Sequence, residues 1–144
     1  MSTKLAGNPA RVLARLSKVV EHALGDDLSL PQYRLLAFLA HGDWAASALA
    51  DRLDVSRPSI TGLVDGLVKR ELVERRPSTD DRRRIDHVIT DAGRAALRAA
   101  DHAVNERLEG IAGRLPGDQG PEALEAIAKL EAALDASLTE ALLR

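Results

Sequence analysis

The chain of 144 residues is long enough for one domain, or for one small domain with helical extensions. Hydrophobic residues make up 45% of it and aromatic residues only 2%, so the core must consist of Leu, Val, Ile and Ala, which suits packed helices. No stretch approaches the ~20 apolar residues of a membrane span, and no apolar signal core follows Met1. Cysteine is absent, which excludes disulfides, thiolate metal sites and thiol redox sensing. We therefore expect a cytoplasmic protein without a membrane partner.

Charge is unevenly distributed along the chain, although the formal net charge is only −2. Residues 69–84 hold seven Lys or Arg against four Asp or Glu, whereas residues 95–144 hold five against nine. The chain thus has a basic middle and an acidic C-terminal arm. This polarity is compatible with nucleic-acid binding by the middle segment.

The first third of the chain predicts two helices and a short link. Residues 1–8 show no pattern, and we expect them to be disordered. Apolar residues recur at helical spacing over 9–24. Ser29 and Gln32 then form a capping box that opens a second helix, which should end near residues 41–42. Trp44 follows in a short extended link, before a small helix over 46–53.

The next helix carries the most informative pattern. Ser56 suits its N-cap and Pro58 its first turn. Its apolar positions form one stripe: Ile60, Leu63, Val64, Leu67 and Val68. The opposite face carries Arg57, Thr61, Asp65 and Lys69, with Gly62 and Gly66 keeping that surface low. Such a face suits close approach to a nucleic-acid groove, but an ordinary solvated helix face has the same pattern.

A hairpin should follow this pair of helices, because the hydrophobic period changes from 3.6 to 2 after Arg70. The turn residues 77–81 separate two extended segments and place Arg82, Arg83 and Arg84 at or near the tip. Helix, turn, helix and hairpin together predict a winged helix-turn-helix. Three arginines at a hairpin tip suit insertion into a narrow minor groove or contact along phosphates. A solubilising loop is the alternative.

Two further helices complete the chain. Thr90 can cap a long helix from Asp91 to about Leu115, and Pro121 should begin the last one. The last helix bears a continuous apolar stripe: Leu124, Ile127, Leu130, Leu134, Leu138 and Leu142. Because a winged helix of ~50 residues cannot cover so much apolar surface, we expect an isologous homodimer. The predicted division is a helical dimerisation region at 9–42 and 91–144, with a DNA-binding region at 43–90. The fold class is mainly α with a small β-hairpin wing.

Several short segments, in order, resemble the MarR family of bacterial winged-helix regulators. These are residues 30–36 in the second helix, 49–53 followed by 55–61 in the helix-turn-helix, and 81–83 with 89–93 at the wing and the helix after it. The resemblance covers roughly residues 9–140. It implies a transcriptional regulator, most often a homodimeric repressor that binds a double-stranded, inverted-repeat operator and is released by a small ligand.

The resemblance also implies site residues. By position, Ser56, Arg57, Pro58, Ser59 and Thr61 fall in the family's DNA-binding helix, and Arg83 on its wing. The pattern of the helix face and of the hairpin tip adds Gly62, Asp65, Arg82 and Arg84 to the predicted DNA-binding residues. In the family the wing arginine, here Arg83, reaches the minor groove, and the aspartate, here Asp81, braces the wing. Some positions depart from the family pattern. Gly62 and Gly66 stand where longer side chains are common, Glu71 stands where a helix-terminating glycine is usual, and Arg84 is an additional cation.

A ligand pocket is implied between the dimer helices and the winged helix. There it would draw on Arg15, His22, Tyr33, Arg34 and Trp44, which could bind a small aromatic or anionic ligand. The alternative is that these residues only form the core of the joint. His102 and Glu106 have helical metal-ligand spacing, but a surface pair is the simpler interpretation, and we expect no metal or other cofactor. No catalytic motif is present, so we do not expect an enzyme. A winged-helix protein-interaction module, or a constitutive DNA binder or activator without ligand release, remains an alternative.

Overall fold

The computed structural model describes residues 7–142, which form six helices and three short strands. In chain order these are α1 (Pro9–Leu24), α2 (Leu30–Leu39), β1 (Trp44–Ala45), α3 (Ala46–Leu53), α4 (Arg57–Lys69), β2 (Val73–Pro77), β3 (Ile85–Ile89), α5 (Asp91–Ala112) and α6 (Gln119–Leu142). The predicted fold class is confirmed. Residues 1–6 of the segment predicted to be disordered lie outside the described residues. Asn8, at the end of that segment, caps α1 by accepting hydrogen bonds from the backbone N–H groups of Ala10 and Arg11.

Side-chain caps explain where α2, α4 and α5 begin. The capping box of α2 is present: Ser29 accepts from the Gln32 N–H, and the Gln32 side chain accepts from the Ser29 N–H. Ser56 caps α4 by accepting from the Ser59 N–H, and Thr90 caps α5. Each cap satisfies a backbone donor that the first helical turn leaves unpaired. The three predicted cap residues are therefore confirmed.

The sheet is antiparallel, with strand order β1-β3-β2. The predicted hairpin is β2 and β3, and β1 pairs with β3 through Trp44 opposite His87 and Ala45 opposite Asp86. The link predicted at Trp44 is thus a short strand of the sheet. Two helix bounds also differ from the prediction: α5 ends at Ala112, and α6 begins at Gln119, so that Pro121 lies within its first turn.

One core joins α2 to the winged helix-turn-helix. Buried leucines of α2 pack together with residues from α3, α4, the wing strands and α5. The largest fully buried side chains are Leu35, Leu36, Leu39, Leu49, Ile60, Leu67, Val64 and Val73. Helix α5 also contacts α1 and α6, so it links the winged helix to the terminal helices. None of the helices in the described ranges is both long enough and apolar enough to cross a lipid bilayer.

The wing is fastened to the start of α5 at a tight junction. Glu71, which follows α4, has a φ of 60°, a left-handed conformation that favours glycine. The Thr90 hydroxyl donates to the Glu71 carbonyl at 2.7 Å, and the Thr90 N–H donates to the Leu72 carbonyl at 3.1 Å. Gly93 lies directly beneath this crossing. A Cβ at Gly93 would stand 2.1 Å from the Leu72 oxygen and 2.8 Å from Cγ1 of Ile89.

The Gly93→Ala substitution should lower the free energy of unfolding by about 1–3 kcal/mol, because the added methyl group must displace backbone. Gly110→Ala is the matched control in the same helix, since a Cβ there meets nothing within 4 Å. Without such a clash, alanine in a helix is more stable than glycine by about 0.5–1 kcal/mol. Urea unfolding at one fixed protein concentration measures both. Equal effects of the two substitutions would contradict the close junction.

Candidate nucleic-acid interface

Helix α4 divides into a buried and an exposed face, as its sequence predicts. Ile60, Val64 and Leu67 are fully buried, while Arg57, Thr61 and Asp65 are exposed. The Ser56 and Ser59 hydroxyls are hydrogen-bonded to each other at 2.9 Å, beside the exposed ring of Pro58. The Thr61 hydroxyl donates to the Arg57 carbonyl at 3.1 Å. The first two turns of α4 therefore present a shallow surface of small polar groups around the cation Arg57.

The two glycines of α4 have different surroundings. Gly62 is exposed, and a Cβ there would meet nothing within 4 Å. Gly66 is only partly exposed, and a Cβ would stand 3.4 Å from the side-chain nitrogen of Gln32 on α2. The sequence predicts that both glycines lower the exposed surface of α4. This prediction is confirmed for Gly62 and wrong for Gly66. Gly66 instead permits close packing of α4 against α2.

The loop between β2 and β3 is held by hydrogen bonds from its own residues. Oδ1 of Asp81 accepts from the Arg83 N–H at 2.9 Å, and the Asp81 carbonyl accepts from the Arg84 N–H at 2.9 Å. The Arg84 carbonyl in turn accepts from the N–H of the buried Ser78. Asp81 thus braces the loop from both its side chain and its backbone. Arg82, Arg83 and Arg84 are all exposed on this fixed loop.

The arginines of α4 and the wing fall into two groups, those with a carboxylate partner among the described residues and those without one. Arg75 of β2 forms an ion pair with Asp65 of α4, which ties the wing to α4. Arg76 is paired with Glu74 on the same strand. By contrast, no carboxylate of the described chain lies within 4.0 Å of the side chains of Arg57 or the loop arginines 82–84. These four guanidinium groups remain available to an external anion.

A cleft of about 470 Å³ lies between α4 and the wing. It is lined by Ala45, Ala46, Ser47, Arg57, Ile60, Thr61, Val64, Arg75, Arg83, Arg84, Ile85 and His87. Of the residues predicted to bind DNA, the cleft brings together Arg57, Thr61, Arg83 and Arg84. Asp65 lies beside it as the partner of Arg75. Sequence reasoning missed Arg75, although the period-2 pattern of β2 places it on the same face of the strand as the buried Val73.

The residues predicted to bind a ligand are dispersed around the joint. Arg15 and His22 are exposed on α1. Tyr33 donates from its hydroxyl to Oδ1 of Asp101 at 2.6 Å, and burial, reinforced by this hydrogen bond, raises the pKa of Tyr33. Arg34 donates to the Leu53 carbonyl at the end of α3, at 3.1 Å. Tyr33 and Arg34 thus point to different neighbours, α5 and α3.

Trp44, the remaining predicted ligand residue, is half-buried in a small cluster. Its ring centroid lies 4.9 Å from that of Phe38, and the Arg52 guanidinium carbon lies 5.8 Å from the centroid of the indole. The Trp44 carbonyl accepts from Nδ1 of the buried His87 at 2.9 Å. Its indole N–H is buried and has no hydrogen-bond partner within the part of the chain described here. The cluster joins α2, α3 and the sheet.

His102 and Glu106 form an exposed surface pair. Their Nε2 and Oε2 atoms are 4.0 Å apart, and both side chains are more than 70% exposed. Over the ranges that the structure covers, no three potential metal ligands come together.

The helix-turn-helix part of the chain is similar in sequence to known proteins. Residues 26–84, which span α2 to the wing loop, match the sequence model of the MarR family. The chain is also 34% identical over 87 residues to the HTH-type transcriptional repressor YetL of Bacillus subtilis. Over residues 26–84 the chain is therefore similar to the MarR family. The match with YetL covers 58% of this chain and 52% of YetL, so the chain spans about half the length of that relative.

Solved structures extend the similarity to the terminal helices. The transcriptional repressor CouR, bound to a 23-mer DNA duplex, is 28% identical with a TM-score of 0.69, over 85% of this chain and 88% of CouR. Wild-type MarR from E. coli, in its apo form, has a TM-score of 0.71 over 87% of this chain and 97% of MarR. At 19% identity, the latter comparison shows the fold alone.

Proposed function

We propose that the protein is a transcriptional regulator that binds double-stranded DNA through α4 and the wing. The observation that carries this proposal is the meeting of Arg57, Arg83 and Arg84, all without carboxylate partners in the described chain, in one cleft. A phosphate backbone is the polyanion that such an array suits. The relatives support the same function, because YetL is a repressor and CouR was solved on DNA. Acting on DNA would place the protein in the cytoplasm.

In this proposal, α4 and the wing have different tasks. Arg57 and Thr61 lie on the exposed face of a helix whose width suits the major groove, where base pairs are distinguishable. Arg83 and Arg84 lie on a loop braced by Asp81, which suits contact with phosphates and the minor groove. We therefore assign sequence preference to α4 and most of the sequence-independent affinity to the wing, within a DNA-binding region at 43–90.

We further propose that the protein acts as a homodimer through residues 9–42 and 91–144. Leu130 and Leu134 on α6 are 53% and 62% exposed, and Val12, Leu13 and Ile127 are exposed as well. An isologous dimer would cover these side chains and present two copies of α4 related by a two-fold axis. The matching operator is an inverted repeat whose half-sites are about 34–36 Å apart.

Regulation by a small ligand is the last part of the proposal, with repression as the state without ligand. A small aromatic or anionic ligand at the joint of α1, α2 and the sheet would change the spacing of the two α4 helices. One observation favours the alternative of a constitutive binder: Tyr33 and Arg34 already have partners in Asp101 and the Leu53 carbonyl. A ligand at these two residues must replace those hydrogen bonds.

The first experiment measures DNA binding on a selected operator and on a panel of base variants. Arg83→Ala should weaken binding to every variant. Its log K should also fall less steeply with log salt, by ~0.9 for each phosphate that Arg83 neutralises in the unmodified protein. Thr61→Ala should instead alter base preference by roughly 1–3 kcal/mol.

Arg76→Ala is the matched control, because Arg76 is paired with Glu74 and lies outside the cleft. Should Arg83→Ala reshuffle base preference while Thr61→Ala leaves it intact, the assigned tasks are wrong. Salt-insensitive binding, or no binding to any duplex, would favour a protein-interaction module.

The dimer is tested by light scattering at micromolar concentration. Leu130→Asp with Leu134→Asp should give folded monomers that no longer bind operator, because both side chains are exposed within one chain. Ala132→Asp with Ala136→Asp places the same charges, at the same spacing, on the opposite face of α6 and should remain dimeric. A monomeric unmodified protein would refute the proposed assembly.

Ligand control is tested with small aromatic acids, using the emission of Trp44, the only tryptophan, as the report on the joint. A ligand that prefers the non-binding geometry ~100-fold should weaken operator binding by about 2.7 kcal/mol. Each compound that changes Trp44 emission is then tested for operator release. Compounds that shift the emission but never release DNA would identify a constitutive binder.

A further inference from the structure

Ile85 is an exposed apolar residue on a wing whose other exposed residues are mainly charged. It is 54% exposed and directly follows the three loop arginines. In the hairpin, Ile85 is paired with Pro77, which is exposed as well. The tip of the sheet therefore carries a small apolar surface next to a concentration of positive charge.

The register shows which way this surface faces. Side chains of a strand alternate between the two faces, so Ile85, His87 and Ile89 share one face of β3. His87 and Ile89 are buried on that face against the helices, and Ile85 lines the cleft opposite Arg57 and Thr61 of α4. The apolar face of the wing thus continues beyond the protein core into the cleft.

Double-stranded DNA would place one of its sugar–phosphate strands in that cleft. A major groove and the adjacent minor groove are separated by a single sugar–phosphate strand. If α4 occupies the first groove and the wing loop reaches the second, that strand must pass between α4 and the wing. The strand alternates anionic phosphates with largely apolar deoxyribose rings. The cleft has matching chemistry, with guanidinium groups at Arg57 and Arg84 and an aliphatic side chain at Ile85.

We propose that the Ile85 side chain packs against one deoxyribose of the DNA strand that crosses this cleft. The inference rests on the proposed DNA binding and adds a specificity-determining residue to it. A ribose at the same position would bring a 2′-hydroxyl against Ile85, and the hydroxyl would lose its water without gaining a partner. Ile85 therefore makes the wing selective for deoxyribose at that one nucleotide, independently of base sequence.

The test combines substitutions at Ile85 with single ribonucleotides placed at each position of the operator duplex. With the unmodified protein, ribose should weaken binding about tenfold at one nucleotide per half-site, because its 2′-hydroxyl is buried without a partner. Ile85→Thr keeps a β-branched side chain that suits a strand. It should bind the all-deoxy operator about fourfold more weakly, a loss corresponding to about one methylene group of apolar contact, and be insensitive to ribose at that nucleotide.

Two variants serve as controls. Ile85→Val should retain the sensitivity to ribose. Val88→Thr makes the matched change on the opposite face of β3 and should leave both the affinity and the ribose sensitivity unchanged. Thermal unfolding of Ile85→Thr should match that of the unmodified protein, because the side chain is half-exposed.

Three results would overturn the inference. The first is a loss in Ile85→Thr that is equal on deoxy and ribo operators. The second is a loss that disappears when a thymine is replaced by uracil, which would assign Ile85 to the thymine methyl group. The third is unchanged affinity in Ile85→Thr. If the unmodified protein binds no duplex at all, the proposed function fails together with this inference.

Discussion

The direction of the wing depends on the junction between β2 and the start of α5. Thr90 caps α5 and, with the same hydroxyl, donates to the Glu71 carbonyl, so one side chain fixes both the helix start and the exit from α4. Gly93 lets the Leu72 carbonyl approach the helix closely enough to accept the Thr90 N–H. Because α5 also contacts α1, α2 and α6, the loop arginines are held in a fixed relation to the long helices. A shift at this junction would change the width of the cleft.

The sequence predicts those parts of the fold that depend on local interactions. Ser29, Ser56 and Thr90 each lie within four residues of the backbone groups they cap. The starts of these three helices can therefore be predicted without tertiary information. The strand β1 has only two residues, too few for a period, and exists because β3 offers it a partner. Glu71 illustrates the same limit. It stands where glycine is usual, and its backbone adopts the left-handed conformation all the same, held by the Thr90 hydroxyl.

The site shows a similar division. Exposure of the arginines at 82–84 follows from their place in a turn, so the basic face could be predicted. The ion pair of Asp65 with Arg75 could not, because it joins a helix to a strand at a distance that only the folded chain defines. Likewise, the adjacent residues Tyr33 and Arg34 of α2 donate hydrogen bonds to different helices, to Asp101 of α5 and to the Leu53 carbonyl of α3. Their partners depend on how the neighbouring helices pack and could not be predicted from the sequence. Because each of these hydrogen bonds involves a charged group, it contributes about 1.5–3 kcal/mol to stability, which any ligand at the joint must offset.

The separation of positive and negative charge along the chain gives the molecule an electric dipole. The wing loop presents Arg82, Arg83 and Arg84, whereas residues 119–140 of α6 hold five acidic residues against one lysine. In the field of a polyanion, a body charged in this way experiences a torque as well as an attraction. It would turn its wing forward and its acidic helix away before the surfaces touch, which raises the fraction of productive encounters. The net charge of −2 would then limit nonspecific adhesion by the remaining surface without slowing this oriented approach.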